Sequence, residues 1–193
     1  MRISGTRRLA IALAGVAVAA MAACSQPPKP TAYSNAEWGF GVTFPGPPKV
    51  TETQASATQT HNLLAVASVG GRADAVQAID ASSTTDMPSD ILARAPAQIA
   101  SSQDLDVGST TPSPLGDVNG LEVRFDKDGD PVMLMRLFII NQKLYEVSAT
   151  LPNKKVDAQA QAFLSSFHLV AAPVGPEPAP APVTNAPVNA PAH

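Results

Sequence analysis

Large apolar side chains alternate with polar ones along the last third of the chain, a pattern typical of β-strands. Residues 121–126 and 144–150 alternate in this way, whereas residues 132–140 are almost all apolar, with Arg136 as their only charge. Two short polar segments separate the three runs, at the lengths expected of hairpin turns. The sequence therefore predicts a three-stranded antiparallel meander.

The hydrophobic pattern also predicts how these strands pair. If Arg136 lies opposite both Glu122 and Glu146, one sheet face is apolar apart from a phenol, and the other carries a structural ion ladder with Arg136 partly buried. A slip of one residue would move a glutamate into the core. Each opposite-sign pair would contribute about 0.2–1 kcal/mol. The predicted apolar face comprises Leu121, Val123, Phe125, Met133, Met135, Leu137, Ile139, Tyr145, Val147 and Ala149.

Earlier segments predict further strands and a helix. Phe40, Val42 and Phe44 alternate before a proline cluster, which indicates a strand with a sharp exit. Two β-prone segments, 61–69 and 75–81, flank a Gly-Gly pair and predict a hairpin. Apolar residues one turn apart predict an amphipathic helix over residues 89–102, where Pro96 either kinks the helix or marks its true start.

A closing helix is predicted from an N-cap at Asn153 through His168, because apolar residues recur there at spacings of four, three and four. Together the predicted elements give an α+β fold, in which helices pack on an antiparallel sheet. A single domain over residues 34–171 accommodates all of them.

Four sequence segments resemble the PsbP-like superfamily in their order. They are W-G-F-x-V-x-F-P-G-x-P from Trp38, a near variant of G-x-x-G-L-E-V over residues 116–123, N-Q-K-L-Y-E-V from Asn141, and F-L-S-S-F from Phe163. This resemblance implies an α/β/α sandwich and a role as a binding or assembly protein. It brings no catalytic motif that can be placed on numbered residues.

The N-terminus resembles the signal of a bacterial lipoprotein. Three arginines precede an apolar stretch over residues 9–20, and two alanines precede Cys24, the only cysteine. The resemblance implies cleavage before Cys24 after its thiol receives a diacylglycerol, followed by acylation of the new N-terminus, for example with palmitate. Met21 stands where such signals usually have leucine, and an ordinary secretory signal is the alternative.

Acylation of Cys24 would make the lipid bilayer a permanent partner, since two acyl chains already give stable attachment. Ser25 follows the cysteine, where an aspartate would favour retention in the inner membrane in the enterobacterial lipoproteins this chain resembles. We therefore expect the periplasmic face of the outer membrane, with the inner membrane as the alternative. Residues 1–23 would be the signal peptide, and residues 24–33 a lipidated, Pro-rich spacer.

Residues 172–193 contain seven prolines among alanines and valines, a composition that predicts a disordered tail. The mature chain carries a charge of −6, since the formal charge of −3 loses three arginines and no acids with the leader. This balance argues against a nucleic-acid partner. With its only cysteine lipidated, the protein has no disulfide, thiolate nucleophile or cysteine zinc cage.

The search for catalytic or metal motifs predicts no catalytic residue, metal or cofactor. Residues 126–130 begin like a calcium loop, but Leu137 stands where that loop needs a glutamate, so a charged hairpin turn is expected instead. His61 and His168 are far apart, without a carboxylate at metal-motif spacing. Nucleophile-elbow, P-loop and dinucleotide motifs are lacking.

Two functions follow from this sequence. The first is a membrane-anchored periplasmic module that binds or assembles an envelope protein partner without catalysis. The second is a small-ligand receptor, in which Tyr33 and Trp38 are candidate pocket aromatics. The third hypothesis is a hydrolase whose catalytic residues are distant in sequence and brought together by the fold.

Overall fold

A computed structural model describes residues 29–56, 60–84 and 86–170 of the protein. The predicted signal peptide, Cys24 and the predicted disordered tail lie outside the described residues. The first strand begins at Thr31. Residues 31–33, the end of the predicted spacer, therefore belong to the folded domain.

The described residues form ten strands and two helices, an α+β fold as predicted. In chain order these are β1 Thr31–Asn35, β2 Phe40–Phe44, β3 Lys49–Thr53, β4 Asn62–Val69, β5 Arg72–Asp80, α1 Pro88–Gln103, β6 Asp106–Pro112, β7 Gly120–Lys127, β8 Asp130–Ile140, β9 Lys143–Thr150, α2 Ala158–Ser166 and β10 His168–Leu169. All strand pairs are antiparallel. The larger sheet has the order β3-β4-β5-β9-β8-β7-β6, and the smaller has the order β1-β2-β10.

The two helices pack on opposite faces of the larger sheet. Helix α1 buries Leu92, Ala95 and Ile99 against a cluster that includes Val123 and Phe125 of β7. Helix α2 and the small sheet share the other face, where Phe163 and Phe167 of the α2 segment join a core with Phe40 and Phe44. Strand β8 contributes to both cores, because its alternate residues point to opposite faces. Coverage on both sides explains why β8 is nearly continuous in apolar residues.

Three tight turns confirm the predicted hairpins. Gly70 and Gly71 join β4 to β5 with φ values of 60° and 81°, a left-handed conformation that glycine adopts without strain. Asp128 and Gly129 join β7 to β8, with positive φ at both residues. The charged hairpin turn expected there, in place of a calcium loop, is confirmed, and residues 141–142 form the third turn.

Helix α1 continues across Pro96, so this proline does not mark the start of the helix. Pro88 occupies the first turn instead, where its missing N–H is not needed. Pro96 removes the donor that would bond to the carbonyl of Leu92. Its ring is buried with the apolar face of the helix, and this burial offsets the loss of the bond.

The predicted N-cap of the closing helix at Asn153 is wrong. Asp157 caps α2, and its side chain accepts a hydrogen bond of 2.7 Å from the N–H of Ala160. The helix ends at Ser166, and His168 pairs with β2 as part of β10. Val156, which the helical periodicity had included, is 42% exposed outside the helix. Asp157 is the better cap because its carboxylate also carries charge suited to a helix N-terminus.

The meander is confirmed, but its predicted register is correct for only one strand pair. Arg136 lies opposite Glu122 of β7, whereas on β9 it lies opposite Val147. Glu146 instead faces Leu137, on the other side of the sheet. The two-residue turn over residues 141–142 pairs Ile140 with Lys143. This first pair fixes every later pair of β8 and β9, and so it places Val147 opposite Arg136.

The predicted single apolar face is therefore divided between the two sides of the sheet. The seven residues from β7 and β8 lie towards α1, whereas Tyr145, Val147 and Ala149 of β9 lie towards α2. Leu134 and Phe138 complete the face towards α2.

No helix of the described residues is long and apolar enough to cross a membrane.

Candidate functional site: an apolar cleft beside the second helix

A cleft of about 480 Å³ lies between α2, the end of β2 and the turn that joins β4 to β5. This volume is within the range of roughly 300–1,000 Å³ that ligand-binding pockets occupy. Most of the wall is apolar. The apolar lining comprises Pro30, Phe44, Pro45, Val69, Ala162 and Phe163, and the polar lining comprises Thr43, Arg72, Gln159 and Ser166.

Three distant segments of the chain build this cleft. Strand β2 ends at Phe44, and Pro45 cannot donate to a continuing ladder, so the chain leaves the sheet there. The Phe44 ring packs 5.3 Å from the ring of Phe163 on α2, and the two aromatic side chains form the base of the cleft. Ala162 is exposed on the same helix, and its small side chain leaves the cleft open.

A buried ion pair closes one end of the cleft. Arg72 is 8% exposed, and its Nη2 donates a hydrogen bond of 2.8 Å to Oδ2 of Asp74, which is fully buried. The Nη1 group donates to Gln159 at 3.2 Å and, more weakly, to Asp157 at 3.4 Å. Arg72 thus ties strand β5 to the first turn of α2.

Burial raises the pKa of Asp74, although the hydrogen bond and charge of Arg72 act in the opposite direction. Oδ1 of Asp74 is buried without a hydrogen-bond partner among the described residues. One arginine here faces two carboxylates, those of Asp74 and Asp157. The closed end of the cleft therefore offers no spare positive charge to an anionic ligand.

The hydroxyl of Ser166 is likewise already engaged. Its Oγ donates to the carbonyl of Phe163 at 2.7 Å and accepts from the backbone N–H of Thr43 at 2.9 Å. These bonds fasten the end of α2 to β2. With Arg72 and Ser166 already engaged and most of its wall apolar, the cleft suits an uncharged apolar group, since each buried methylene contributes about 0.8 kcal/mol.

The residues of the predicted ion ladder lie apart from the cleft. Arg136 Nε donates to Oε2 of Glu122 at 2.9 Å, and both side chains are about one-fifth exposed. Arg136 also reaches Gln161 and Ser165 of α2 at 3.4 Å each. Arg136 is therefore partly buried beneath α2, where it connects the sheet to the helix.

Glu146, the third residue of the predicted ladder, points towards the other face of the sheet. It borders a second cavity of about 220 Å³ with Leu64, Gln77 and Met135. Helix α1 packs mainly against β6, β7 and β8, and only its last residue, Gln103, borders this cavity. Burial raises the pKa of Glu146. The ladder prediction is wrong for this residue.

The candidate pocket aromatics, Tyr33 and Trp38, are not among the residues that line the cleft. The Tyr33 ring packs 5.9 Å from Phe40 and 6.2 Å from Phe44, as part of the small sheet. Trp38 is 1% exposed and belongs to the core between the sheets. Phe44, which the sequence places on the predicted strand before the proline cluster, is fully buried and also borders the cleft.

Sequence reasoning missed Arg72 and Ala162 as site residues. Arg72 immediately follows the Gly-Gly turn and is two residues from Asp74, so both side chains point to the same face of β5. An oppositely charged pair within an otherwise apolar strand is a signal of a buried ion pair. The partners of this pair on α2 are more than 80 residues away, and only the fold brings them together.

Comparison with known proteins finds similar folds among solved structures. No protein-family model matches the chain, and no curated protein matches it. The fold is similar to that in the solution structure of cyanobacterial PsbP (CyanoP) from Synechocystis sp. PCC 6803, with 11% identity and a TM-score of 0.49 over 79% of this chain and 98% of that one. At that identity and TM-score the likeness says nothing about activity, and the α+β class rests on the strands and helices themselves.

Proposed function

We propose that this protein is a lipid-anchored envelope protein whose domain binds an uncharged apolar ligand, of the acyl-chain class, in the cleft beside α2. It acts as a binding module without catalysis. The observation that carries this proposal is the cleft of about 480 Å³, with its mainly apolar walls and its only lining charge, Arg72, already paired. Such a site favours the burial of methylene groups and offers a charged headgroup no unpaired charge.

The position of the cleft relative to the proposed anchor supports an acyl ligand. Pro30 lines the cleft, and Cys24 is six residues before it. Six residues span at most about 20 Å when fully extended. A lipidated Cys24 therefore keeps the cleft within reach of a bilayer surface, where acyl chains are abundant.

Ala162 provides a direct test of the cleft. Ala162→Trp would fill the cleft from the exposed side of α2, and Ala97→Trp provides the matched control on the exposed side of α1. All three proteins carry Cys24→Ser, so that none is lipidated. We expect a fluorescent fatty alcohol to bind the Cys24→Ser protein. Adding Ala162→Trp is expected to weaken this binding at least tenfold, and adding Ala97→Trp is expected to leave it unchanged. Equal affinity for the two tryptophan variants would refute the cleft as the site.

An envelope protein partner is the second candidate, and one observation favours it. The face of β4, β5 and β9 that α1 leaves uncovered contains the second cavity, and Leu64 at its border is 36% exposed. A photo-crosslinking residue at position 64 is expected to capture a discrete envelope protein in intact cells, whereas the same residue at position 97 is not. Identical adducts at the two positions would argue against a partner on this face.

A further inference from the structure

A histidine and two glutamates meet at the end of the molecule where the β1–β2 turn approaches the larger sheet. Glu37 lies on that turn, Glu52 lies on β3, and His61 immediately precedes β4. One ligand atom from each residue lies within 4.8 Å of the other two. Because the three residues are spread along the sequence, they match no metal-binding motif, and we predicted no metal site from the sequence.

We propose that Glu37, Glu52 and His61 form a zinc-binding site. In tetrahedral coordination with bonds of about 2.0–2.1 Å, ligand atoms are about 3.3 Å apart. Nε2 of His61 lies 2.8 Å from Oε1 of Glu52, and the largest separation in the group is within 4.8 Å. These distances bracket the required one, so small side-chain rotations bring the three atoms onto one ion.

The mixture of donors favours zinc over magnesium and calcium. An imidazole nitrogen suits zinc and late transition metals, whereas magnesium and calcium prefer oxygen ligands alone. Two carboxylates balance the charge of the ion, and a neutral His61 supplies a lone pair. Three protein ligands leave a fourth position open for water or for a donor from another molecule.

Buried surroundings hold two of the ligands in place. Trp38 is 1% exposed, and its Nε1 donates a hydrogen bond of 3.2 Å to Oε1 of Glu52. Its ring centroid is 4.7 Å from that of His61, which fixes the plane of the imidazole. Lys143 donates to the backbone carbonyl of Glu37 at 2.7 Å and so positions the turn. Hydrogen bonds of this kind orient the ligands in metal sites.

His61 and Trp38 also hold the Glu52 carboxylate in its ionised form, since their hydrogen bonds lower its pKa. In the ion-free protein, Nε2 carries the imidazole proton and donates a hydrogen bond to Glu52, because the ionised carboxylate can only accept. When zinc occupies the lone pair of Nε2, the proton resides on Nδ1.

Trp38 makes zinc binding measurable, because it is the only tryptophan of the chain and its ring lies against His61. The experiment titrates zinc chloride into the mature lipoprotein, purified in a nonionic detergent, and records calorimetry and tryptophan fluorescence. We expect saturation at one zinc per chain with a change in fluorescence. Magnesium at the same concentrations is expected to produce neither signal.

Two ligand variants and one control distinguish this site from adventitious binding. His61→Ala and Glu37→Gln are each expected to weaken zinc binding at least tenfold. Because Glu37 is exposed, the second change is expected to leave folding unchanged. His168→Ala removes an exposed histidine elsewhere and is expected to leave zinc binding unchanged. Absence of zinc binding to the wild type, or wild-type affinity in the Glu37→Gln variant, would overturn the proposal.

Discussion

Arg72 and Asp74 lie two residues apart on β5 and form an ion pair of 2.8 Å that is buried between the larger sheet and α2. Their side chains share one face of the strand because strand side chains alternate. Through Gln159 and Asp157, the same guanidinium reaches the first turn of α2. This pair therefore fixes the helix over the sheet and closes one end of the cleft.

Replacing Arg72 with methionine is expected to lower the free energy of unfolding by about 3–5 kcal/mol, because removal of one partner leaves a buried carboxylate uncompensated. Urea denaturation of the wild type and the Arg72→Met variant at pH 7 would measure this loss. The double variant Arg72→Met/Asp74→Asn is the control. If neutralising Asp74 restores none of the lost stability, the loss does not arise from the unpaired charge.

Glu146→Gln is expected to raise stability at pH 8 and to have little effect at pH 4. Burial raises the pKa of Glu146 above its reference value of 4.5, so the folded state binds the proton more tightly than the unfolded state. Ionisation therefore costs the wild type stability as the pH rises from about 4.5 through the folded pKa. Urea denaturation at several pH values would test this prediction, and a stability difference independent of pH would contradict it.

Double-mutant cycles would separate the two halves of the predicted ladder. Arg136→Met combined with Glu122→Gln is expected to show a coupling energy of about 1 kcal/mol, as for a partly exposed, hydrogen-bonded pair. Arg136→Met combined with Glu146→Gln is expected to be additive to within about 0.5 kcal/mol, because the two side chains lie on opposite faces. A larger coupling to Glu146 than to Glu122 would contradict the observed register.

Cys24→Ser is expected to abolish incorporation of labelled palmitate and to release the protein from membranes or trap its precursor. The reason is chemical, since the serine hydroxyl cannot form the thioether to diacylglycerol. Metabolic labelling and cell fractionation would measure both effects. A Cys24→Ser variant that still takes up palmitate and sediments with membranes would show that the anchor lies elsewhere.

The sequence predicted those parts of the fold that local rules determine. Both residues of the Gly70-Gly71 and Asn141-Gln142 turns have positive φ. Tight hairpin turns need this conformation, and glycine and asparagine are therefore common in them. The two-residue length of the second turn also implies the β8–β9 register, in conflict with the register that the hydrophobic pattern favours. On the β7–β8 side, an irregularity between Phe125 and Asp126 shifts the pairing by one residue and brings Glu122 opposite Arg136.

The features that the sequence did not predict depend on tertiary structure. Strand β6 is exposed along its whole length, so it carries no alternation to detect. Glu146 is tolerated on an apolar face because α1 covers only the neighbouring strands. The cleft joins Phe44, Val69 and Ala162, which are far apart in sequence and belong to no motif.

Paramagnetic relaxation would locate a bound acyl chain directly. A fatty alcohol with a nitroxide on its chain would be added to the methyl-labelled protein, and the line broadening of each methyl group would be recorded by NMR. A cleft that binds acyl chains predicts strong broadening at Val69 and Ala162, which line it, and much weaker broadening at Leu64 and Ala75 on the opposite face of the sheet. Broadening confined to Leu64 and Ala75, or absent at all four residues, would contradict an acyl-binding cleft beside α2.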